Sequence, residues 1–285
     1  PPVPVAALRD YWHGFDYDLD ADFPDLPGSL SQYRCLNCGL HWFEPALIGP
    51  PILYERLVKW PPYYRSEAWE WDISIDILKR RRVDDVLEVG SGTGEFLERA
   101  ARVLPRCQGL EFNPAALAIT RSRGGIASDI PLPSIDGGRS AIVAFQLLEH
   151  LARPDIFLKT CAAKLRPGGV LIVAVPNQDG FVGTLDANYL NRPPHHATLW
   201  RKSCFQVAAR RFGLEFVDYR TAPLELRQYK IHLRRGARRG RTLAGKLTNR
   251  MRHLTVELVA PLMFLKARHS LAGEAQLAVF LKPST

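Results

Sequence analysis

The chain has little of what a membrane-spanning or secreted protein needs. Within its 285 residues, no run reaches the roughly 18 uncharged apolar residues that cross a bilayer, and the Pro-rich start lacks the layout of a signal peptide. Cysteine is scarce and odd in number, with five residues, which excludes a dense disulfide framework and favours reduced thiols. These absences together predict a cytoplasmic protein.

Acidic residues are missing from one long segment. Residues 227–256 contain ten Lys or Arg and no Asp or Glu, whereas the net charge of the whole chain is +9. The rest of the chain is therefore close to neutral, and an anionic partner would bind this segment. Aromatic residues are also few there, with Tyr229 alone among the charges, whereas single-strand binders offer several stacking rings. Nucleic acid is therefore a disfavoured partner.

Apolar residues at helical spacing follow in the same segment: Leu247, Met251, Leu254, Leu258, Leu262 and Leu265. This spacing predicts a basic amphipathic helical insertion over residues 227–273. Such a helix suits an anionic membrane surface, here through residues 227–268 at the inner membrane face, or a partner subunit in a homodimer. It would also suit a cover for the sheet edge, and the three interpretations stay open.

The apolar pattern divides the rest of the chain. Residues 1–62 are irregular and rich in Pro and aromatics, which predicts a small loop-rich module. Residues 63–226 alternate short apolar runs with helical stretches, which predicts a Rossmann-like, doubly wound α/β core. A closing strand is expected within 274–285. The predicted strands are 85–89, 108–112, 125–128, 140–145, 170–175, 214–219 and 275–281, and the predicted helices are 95–103, 114–122, 154–165 and 203–212.

A glycine-rich turn joins the first core strand to its helix. It reads Gly90-Ser91-Gly92-Thr93-Gly94, and glycines let the backbone turn sharply and approach a ligand closely. The dinucleotide fingerprint G-x-G-x-x-G is absent, because Glu95 stands three residues after Gly92, and its carboxylate would repel a pyrophosphate. The turn therefore predicts a cofactor without phosphates. Glu88 could accept a hydrogen bond from the amino group of such a cofactor. Glu111, which follows the next strand, could accept hydrogen bonds from ribose hydroxyls of the cofactor.

These residues resemble the class I S-adenosylmethionine-dependent methyltransferases over residues 84–219 and the closing strand. The family's later motifs are matched by Ser128-Asp129-Ile130, by residues 146–151 and by residues 165–172. The resemblance implies a seven-stranded sheet with an antiparallel last strand. It also implies S-adenosylmethionine contacts: the methionine part with Glu88, Gly90, Ser91, Gly92, Thr93 and Gly94, the ribose with Glu111, the adenine with Phe112, Asp129 and Ile130, and the cofactor floor with Gln146 and Leu147.

Histidines are the candidate catalytic residues. His195 and His196 follow Pro193 and Pro194, and two prolines hold the backbone that would present an imidazole base. This run resembles bacterial methyltransferases that act on sugars, glycans or natural products. The alternative is that both histidines only fasten the loop. His150 could face the acceptor, bind a metal with Glu149 or be a structural histidine.

A half zinc knuckle is present near the start of the chain. Cys35 and Cys38 have the two-residue spacing, with Gly39 following, that predicts a pair of zinc ligands. A closed site needs four ligands, and the sequence has no second Cys-x-x-Cys. Similar modules in sugar and antibiotic methyltransferases imply another pair upstream of Pro1. The alternative is that the two cysteines are reduced, lie in a turn and bind no metal.

Together these patterns predict an S-adenosylmethionine-dependent methyltransferase that acts on oxygen of a small-molecule, sugar, glycan or secondary-metabolite acceptor. A nucleic-acid methyltransferase using the basic insertion is one alternative. A non-catalytic, cofactor-binding interaction module that kept the fold and lost the chemistry is another.

Overall fold

The computed structural model describes residues 2–60, 63, 67–185, 188–233, 243–268 and 270–284, with only the backbone over 243–254. Its strands are β1 (Val3–Pro4), β2 (Ser29–Arg34), β3 (His41–Glu44), β4 (Val86–Val89), β5 (Cys107–Leu110), β6 (Ala127–Ser128), β7 (Arg139–Phe145), β8 (Leu165–Pro176), β9 (Thr198–Leu199), β10 (Glu215–Thr221) and β11 (Ala275–Leu281). Its α-helices are α1 (Val5–His13), α2 (Leu19–Asp22), α3 (Pro51–Val58), α4 (Trp69–Arg80), α5 (Glu95–Ala101), α6 (Pro114–Ser122), α7 (Pro154–Lys164), α8 (Lys202–Phe212), α9 (Leu226–Leu233) and α10 (Leu243–Ala267).

The larger sheet has seven strands in the order β10-β11-β8-β7-β4-β5-β6. The five strands from β8 to β6 pair in parallel. β11 lies between β8 and β10 and is antiparallel to both. This confirms the predicted Rossmann-like α/β fold, including its antiparallel last strand.

Helices cover both faces of this sheet, which explains the continuous apolar runs of its strands. On one face Leu158 of α7 and Phe205 of α8 join the buried core. On the other face Leu78 of α4 and Phe96 of α5 do so. Because the sheet is covered on both sides, its polar ligand-binding groups can face a cavity only where the strands end.

The N-terminal segment is more regular than the predicted loop-rich module. It contains α1, α3 and the antiparallel pair β2–β3, and β3 pairs in turn with β9 from the core segment. Val5, Leu8 and Trp12 lie three and four residues apart on one buried face of α1. That helical spacing was present in the sequence, but the surrounding prolines and the shortness of the run concealed it.

The packing of α1 gives a stability prediction. Leu8 is fully buried, whereas Leu36 in the same segment is 97% exposed. Leu8→Ala is expected to lower the free energy of unfolding by about 2–5 kcal/mol because it leaves a cavity. Leu36→Ala, the matched control, should change it by less than about 0.5 kcal/mol. Urea denaturation followed by circular dichroism measures both, and equal effects would contradict the buried position of α1.

The basic insertion forms α9 and α10, which pack against the loop after β8. Tyr229 of α9 and Val256 and Ala260 of α10 are buried with Phe181 and Val182 of that loop. Residues 234–242 of the basic run lie outside the described residues. None of the helices that the structure describes has the length and the apolar composition needed to cross a bilayer.

Candidate functional site

The glycine turn has the backbone geometry that its sequence predicts. It connects the buried strand β4 to α5, and Gly90, Gly92 and Gly94 have φ values of +76°, +54° and +85°. A Cβ atom at Gly90 would lie 3.1 Å from Leu147, and one at Gly94 would lie 2.8 Å from Thr120. Only glycine fits both the backbone angles and this space. At its three glycines the turn therefore brings main chain without a side chain to the end of the sheet.

Glu111 holds this turn from the neighbouring strand. It follows β5 directly, and its Oε2 accepts a hydrogen bond of 2.8 Å from the backbone N–H of Gly92. Its Oε1 accepts one of 2.7 Å from the N–H of Asn113. An ionised carboxylate offers about four acceptor positions, so two remain for hydroxyls of a ligand. The predicted ribose contact is therefore compatible with this carboxylate's structural role.

Glu88 is a buried carboxylate with an unused oxygen. The residue is 3% exposed, and its Oε2 has no hydrogen-bond partner among the described residues. Burial, with the charges of Glu111 and Glu95, raises the pKa of Glu88 well above its usual value. A buried charge of this kind needs a compensating partner. The ammonium group of S-adenosylmethionine has the chemistry to provide one, so the residues of the turn fit that cofactor.

The raised pKa of Glu88 predicts a pH-dependent stability. Because its folded-state pKa lies above its unfolded value of about 4.5, Glu88 binds its proton more tightly in the folded chain. Its contribution to stability is full below pH 4.5 and is lost as the pH rises through the folded pKa. Glu88→Gln cannot ionise and should therefore have a higher melting temperature than the parent at pH 8, with a smaller difference at pH 4.

Thermal denaturation of the ligand-free protein across this pH range makes the comparison. Glu98→Gln is the control, because Glu98 lies on α5 but is exposed and paired with Arg102. Its difference from the parent should vary little with pH. A Glu88→Gln protein that is no more stable than the parent at pH 8 would contradict the buried carboxylate.

One large cavity opens where the parallel strands end. Its volume is about 1400 Å³, and it brings together most of the residues predicted from sequence. The predicted residues that line it are Glu88, Gly90, Ser91, Gly92, Glu111, Phe112, Gln146, Leu147, His150, His195 and His196. The predicted cofactor and catalytic residues therefore share one space.

Four predicted residues do not line this cavity. Thr93 donates from Oγ1 to Glu95 at 2.6 Å, and Gly94 packs against Thr120, so both belong to the rear of the turn. Ile130 lines a separate cavity of about 270 Å³, and Asp129 lines neither cavity. Their predicted contacts with the cofactor stay predictions.

The three candidate histidines form one cluster. The ring centroids of His150 and His195 are 4.5 Å apart, those of His150 and His196 are 4.7 Å apart, and those of His195 and His196 are 4.3 Å apart. Burial lowers the pKa of His150 to about 4 and lowers the pKa values of His195 and His196 well below their usual value. All three rings are therefore neutral at pH 7, and each keeps one nitrogen lone pair.

Two features of the cluster were not assigned from the sequence. Tyr54 of α3 has its hydroxyl 3.3 Å from Nδ1 of His150, although 96 residues separate the two. Further N-terminal residues, including Gly49 and Trp60, line the same cavity. No local pattern indicates contacts over such a distance along the chain. The N-terminal segment is therefore a wall of the site.

The cysteine pair lies at the tip of the β2–β3 hairpin, where it docks on α8. The carbonyl oxygen of Cys38 accepts hydrogen bonds from Ser203 at 2.6 Å and from Cys204 at 3.3 Å. Within the part of the chain that the structure describes, no third His, Cys, Asp or Glu completes a ligand set with Cys35 and Cys38. The predicted zinc site on this pair is thus at most half complete in the described residues.

Comparison with known protein families identifies the core. The family model of a methyltransferase domain matches residues 63–219, more than half of the chain. The chain belongs to the methyltransferase domain family. Within this methyltransferase domain lie the glycine turn, Glu111 and all three clustered histidines.

Curated relatives of the methyltransferase domain match part of the chain. A protein of Mycolicibacterium smegmatis named "Probable S-adenosylmethionine-dependent methyltransferase" is 38% identical over 104 residues, which are 34% of this chain and 40% of the relative. Ubiquinone biosynthesis O-methyltransferase of Parvibaculum lavamentivorans is 26% identical over 166 residues, 53% of this chain and 63% of the relative. The chain thus spans less than two thirds of the length of either relative.

A solved structure shows the same fold. The S-adenosylmethionine-dependent methyltransferase of Archaeoglobus fulgidus superposes with a TM-score of 0.51 at 16% identity, covering 74% of this chain and 94% of the other. At this identity the likeness concerns the fold alone, and it agrees with the sheet order of the methyltransferase domain.

Proposed function

We propose that the protein is an S-adenosylmethionine-dependent methyltransferase that methylates an oxygen atom of a small-molecule or glycan acceptor. The observation that carries this proposal is that the glycine turn and the histidine cluster line the same cavity. A cofactor on the turn and an acceptor beside the histidines would meet there. The names of the curated relatives support the same cofactor, and one of them names an O-methyltransferase.

In the cofactor half of the cavity, the main chain and two carboxylates would bind S-adenosylmethionine. Gly90 and Gly92 permit close approach, Glu111 would accept from the ribose, and Glu88 would face the ammonium group. Phe112, whose side chain is 64% exposed, offers a ring face for the adenine. When bound, S-adenosylmethionine supplies a methyl group carried on a sulfonium.

The acceptor half would position a hydroxyl and take its proton. Methyl transfer is an in-line displacement, so much of the rate comes from holding the acceptor oxygen in line in a site that excludes water. A neutral imidazole of His195 or His196 can accept the hydroxyl proton as the new oxygen–carbon bond forms. His150 is the third candidate base, because its ring contacts the rings of both His195 and His196.

The lining of the acceptor half supports a polyhydroxylated acceptor. Trp60 and Tyr63 provide aromatic rings, and Glu55 provides a carboxylate. Sugar rings have apolar faces that pack on aromatics, and their hydroxyls donate to carboxylates. A sugar, a glycan or a glycosylated secondary metabolite therefore suits this wall better than an apolar acceptor.

Transfer of a radiolabelled methyl group tests the proposal. Acceptors would be offered in matched pairs that differ only in a hydroxyl or an amino group, with nucleotide sugars, simple glycosides and phenols as the first set. Label in the hydroxyl member of a pair supports the proposal. Label in amino members alone would overturn oxygen as the target, and label in RNA or DNA alone would favour the nucleic-acid alternative.

The insertion and the cysteine pair stay predictions. Leu258, Leu262 and Leu265 on α10 are exposed and lie on one side of the helix, which supports contact with an anionic membrane surface or a second subunit. Co-sedimentation with phosphatidylserine vesicles and the sedimentation coefficient of the protein alone separate these two. Zinc on Cys35 and Cys38 is tested by metal analysis of the parent and of a Cys35→Ser, Cys38→Ser protein.

A further inference from the structure

The histidine cluster contains three converging imidazoles, whereas a single general base requires only one. One ring nitrogen from each of His150, His195 and His196 lies within 4.8 Å of the other two, and no other group of three potential ligands is found among the described residues. The cluster borders the acceptor cavity. Because Zn–N bonds are about 2.0–2.1 Å long, the three rings would surround one metal ion after moving closer together.

Hydrogen bonds fix the state of each ring. Nδ1 of His195 lies 2.9 Å from the carbonyl oxygen of Leu190, Nδ1 of His196 lies 2.7 Å from Oδ1 of Asn191, and Nδ1 of His150 lies 2.6 Å from the carbonyl oxygen of His195. Oxygens of this type only accept, so each Nδ1 carries the proton and donates. Each Nε2 then keeps its lone pair. Metal-binding histidines commonly donate their second ring N–H to a carbonyl or carboxylate in this way.

A buried carboxylate adjoins the three rings. Glu149 is 1% exposed, and neither of its carboxylate oxygens has a hydrogen-bond partner among the described residues. Its Oε1 lies 4.0 Å from Nε2 of His150. Burying a carboxylate without hydrogen bonds destabilises the folded protein. A cation between Glu149 and the ring lone pairs would compensate the carboxylate and give the lone pairs a partner.

We propose that His150, His195, His196 and Glu149 bind one divalent transition-metal ion, of the zinc class, at the acceptor end of the cavity. Imidazole nitrogens with one carboxylate suit Zn²⁺ and its first-row neighbours rather than Mg²⁺ or Ca²⁺, which prefer all-oxygen ligand sets. Four protein ligands would fill a tetrahedral sphere, so an acceptor oxygen would bind as a fifth ligand or in place of Glu149. This role rests on the proposed function, whereas binding of the ion does not.

One contact must change when the ion binds. The hydroxyl of Tyr63 lies 3.2 Å from Nε2 of His195, so it donates to the lone pair that the ion would use. The ion therefore displaces this hydrogen bond. In the loaded protein the imidazoles would hold the ion instead of taking a proton. The ion would lower the pKa of the acceptor hydroxyl, whose proton would leave to bulk water before the oxygen takes the methyl group.

Metal binding is tested in a protein that lacks the competing cysteine pair. The Cys35→Ser, Cys38→Ser protein would be stripped with a chelator and then titrated with Zn²⁺, Co²⁺ and Mg²⁺ by calorimetry. We expect one equivalent of Zn²⁺ and a visible Co²⁺ spectrum without thiolate charge-transfer bands. In the same background His150→Ala should weaken Zn²⁺ binding by about 100-fold or more, and Glu149→Gln by about 10-fold. His13→Ala, an exposed histidine on α1, should leave it unchanged.

Three results would overturn the site. They are no Zn²⁺ binding by the folded Cys35→Ser, Cys38→Ser protein, equal affinity of the His150→Ala variant, or Mg²⁺ bound more tightly than Zn²⁺. Glu149→Gln keeps all three imidazoles, so it serves if His150→Ala does not fold. S-Adenosylhomocysteine binding, measured in the presence of chelator, separates the two proposals: cofactor binding and turnover without metal would retain the function and remove the ion's role in the reaction. Zn²⁺ binding without cofactor binding would retain the metal site and contradict the proposed function.

Discussion

A protein in which His195 and His196 are both replaced by Ala is expected to bind S-adenosylhomocysteine as the parent does and to lose turnover by about 10²- to 10⁴-fold. Both rings line the cavity, and the proposed cofactor contacts lie elsewhere in its lining, on the turn after β4 and on Glu111. Removing the rings abolishes proton acceptance at the acceptor oxygen, or the ion that they would bind there. The change should therefore appear in the rate and leave the cofactor affinity intact.

The measurement pairs a methyl-transfer assay with calorimetric titration of the same variant. His13→Ala is the matched control, since His13 is exposed at the end of α1 and does not line the cavity. Retained cofactor affinity shows that the double variant is folded. Turnover equal to that of the parent would remove both histidines from the chemistry and leave them as residues that fasten the loop.

Glu111→Ala is expected to weaken S-adenosylhomocysteine binding by about 100-fold, equivalent to about 2.7 kcal/mol. The carboxylate accepts from the N–H of Gly92 and from the N–H of Asn113, and by our assignment it also accepts from the ribose. A hydrogen bond to a charged group contributes about 1.5–3 kcal/mol. Losing the ribose contact and loosening the turn together account for the expected change.

Calorimetry of Glu111→Ala, Glu111→Gln and Glu98→Ala distinguishes these contributions. Glu111→Gln keeps one oxygen acceptor and should fall between the parent and the Ala variant. Glu98→Ala removes an exposed carboxylate of α5 and should bind as the parent does. Unchanged affinity of Glu111→Ala would refute the ribose assignment.

The fold was predictable because its signals are local. A buried strand, a glycine turn and a helix follow one another within residues 86–101, and Gly213 ends α8 with a φ of +65°, as expected of a helix stop. Each of these signals depends on residues adjacent in sequence. The seven strands and the antiparallel last strand came from the family resemblance, and the structure confirms both.

The acceptor side was less predictable because its contacts are distant in sequence. The presence of histidines near the cavity could be inferred from the Pro-Pro-His-His run. Their convergence on His150, 45 residues earlier, and the contact of Tyr54 with that ring could not. β9 pairs with β3 across more than 150 residues, and only folding reveals that this pairing closes the N-terminal segment over the site.

The most direct test of the central claim is calorimetric titration of the purified protein with S-adenosylhomocysteine and, in parallel, with NADH. The glycine turn, with Glu95 in the first turn of α5, predicts micromolar binding of S-adenosylhomocysteine and no binding of NADH. Binding of NADH, or of neither ligand by the folded protein, would contradict the account.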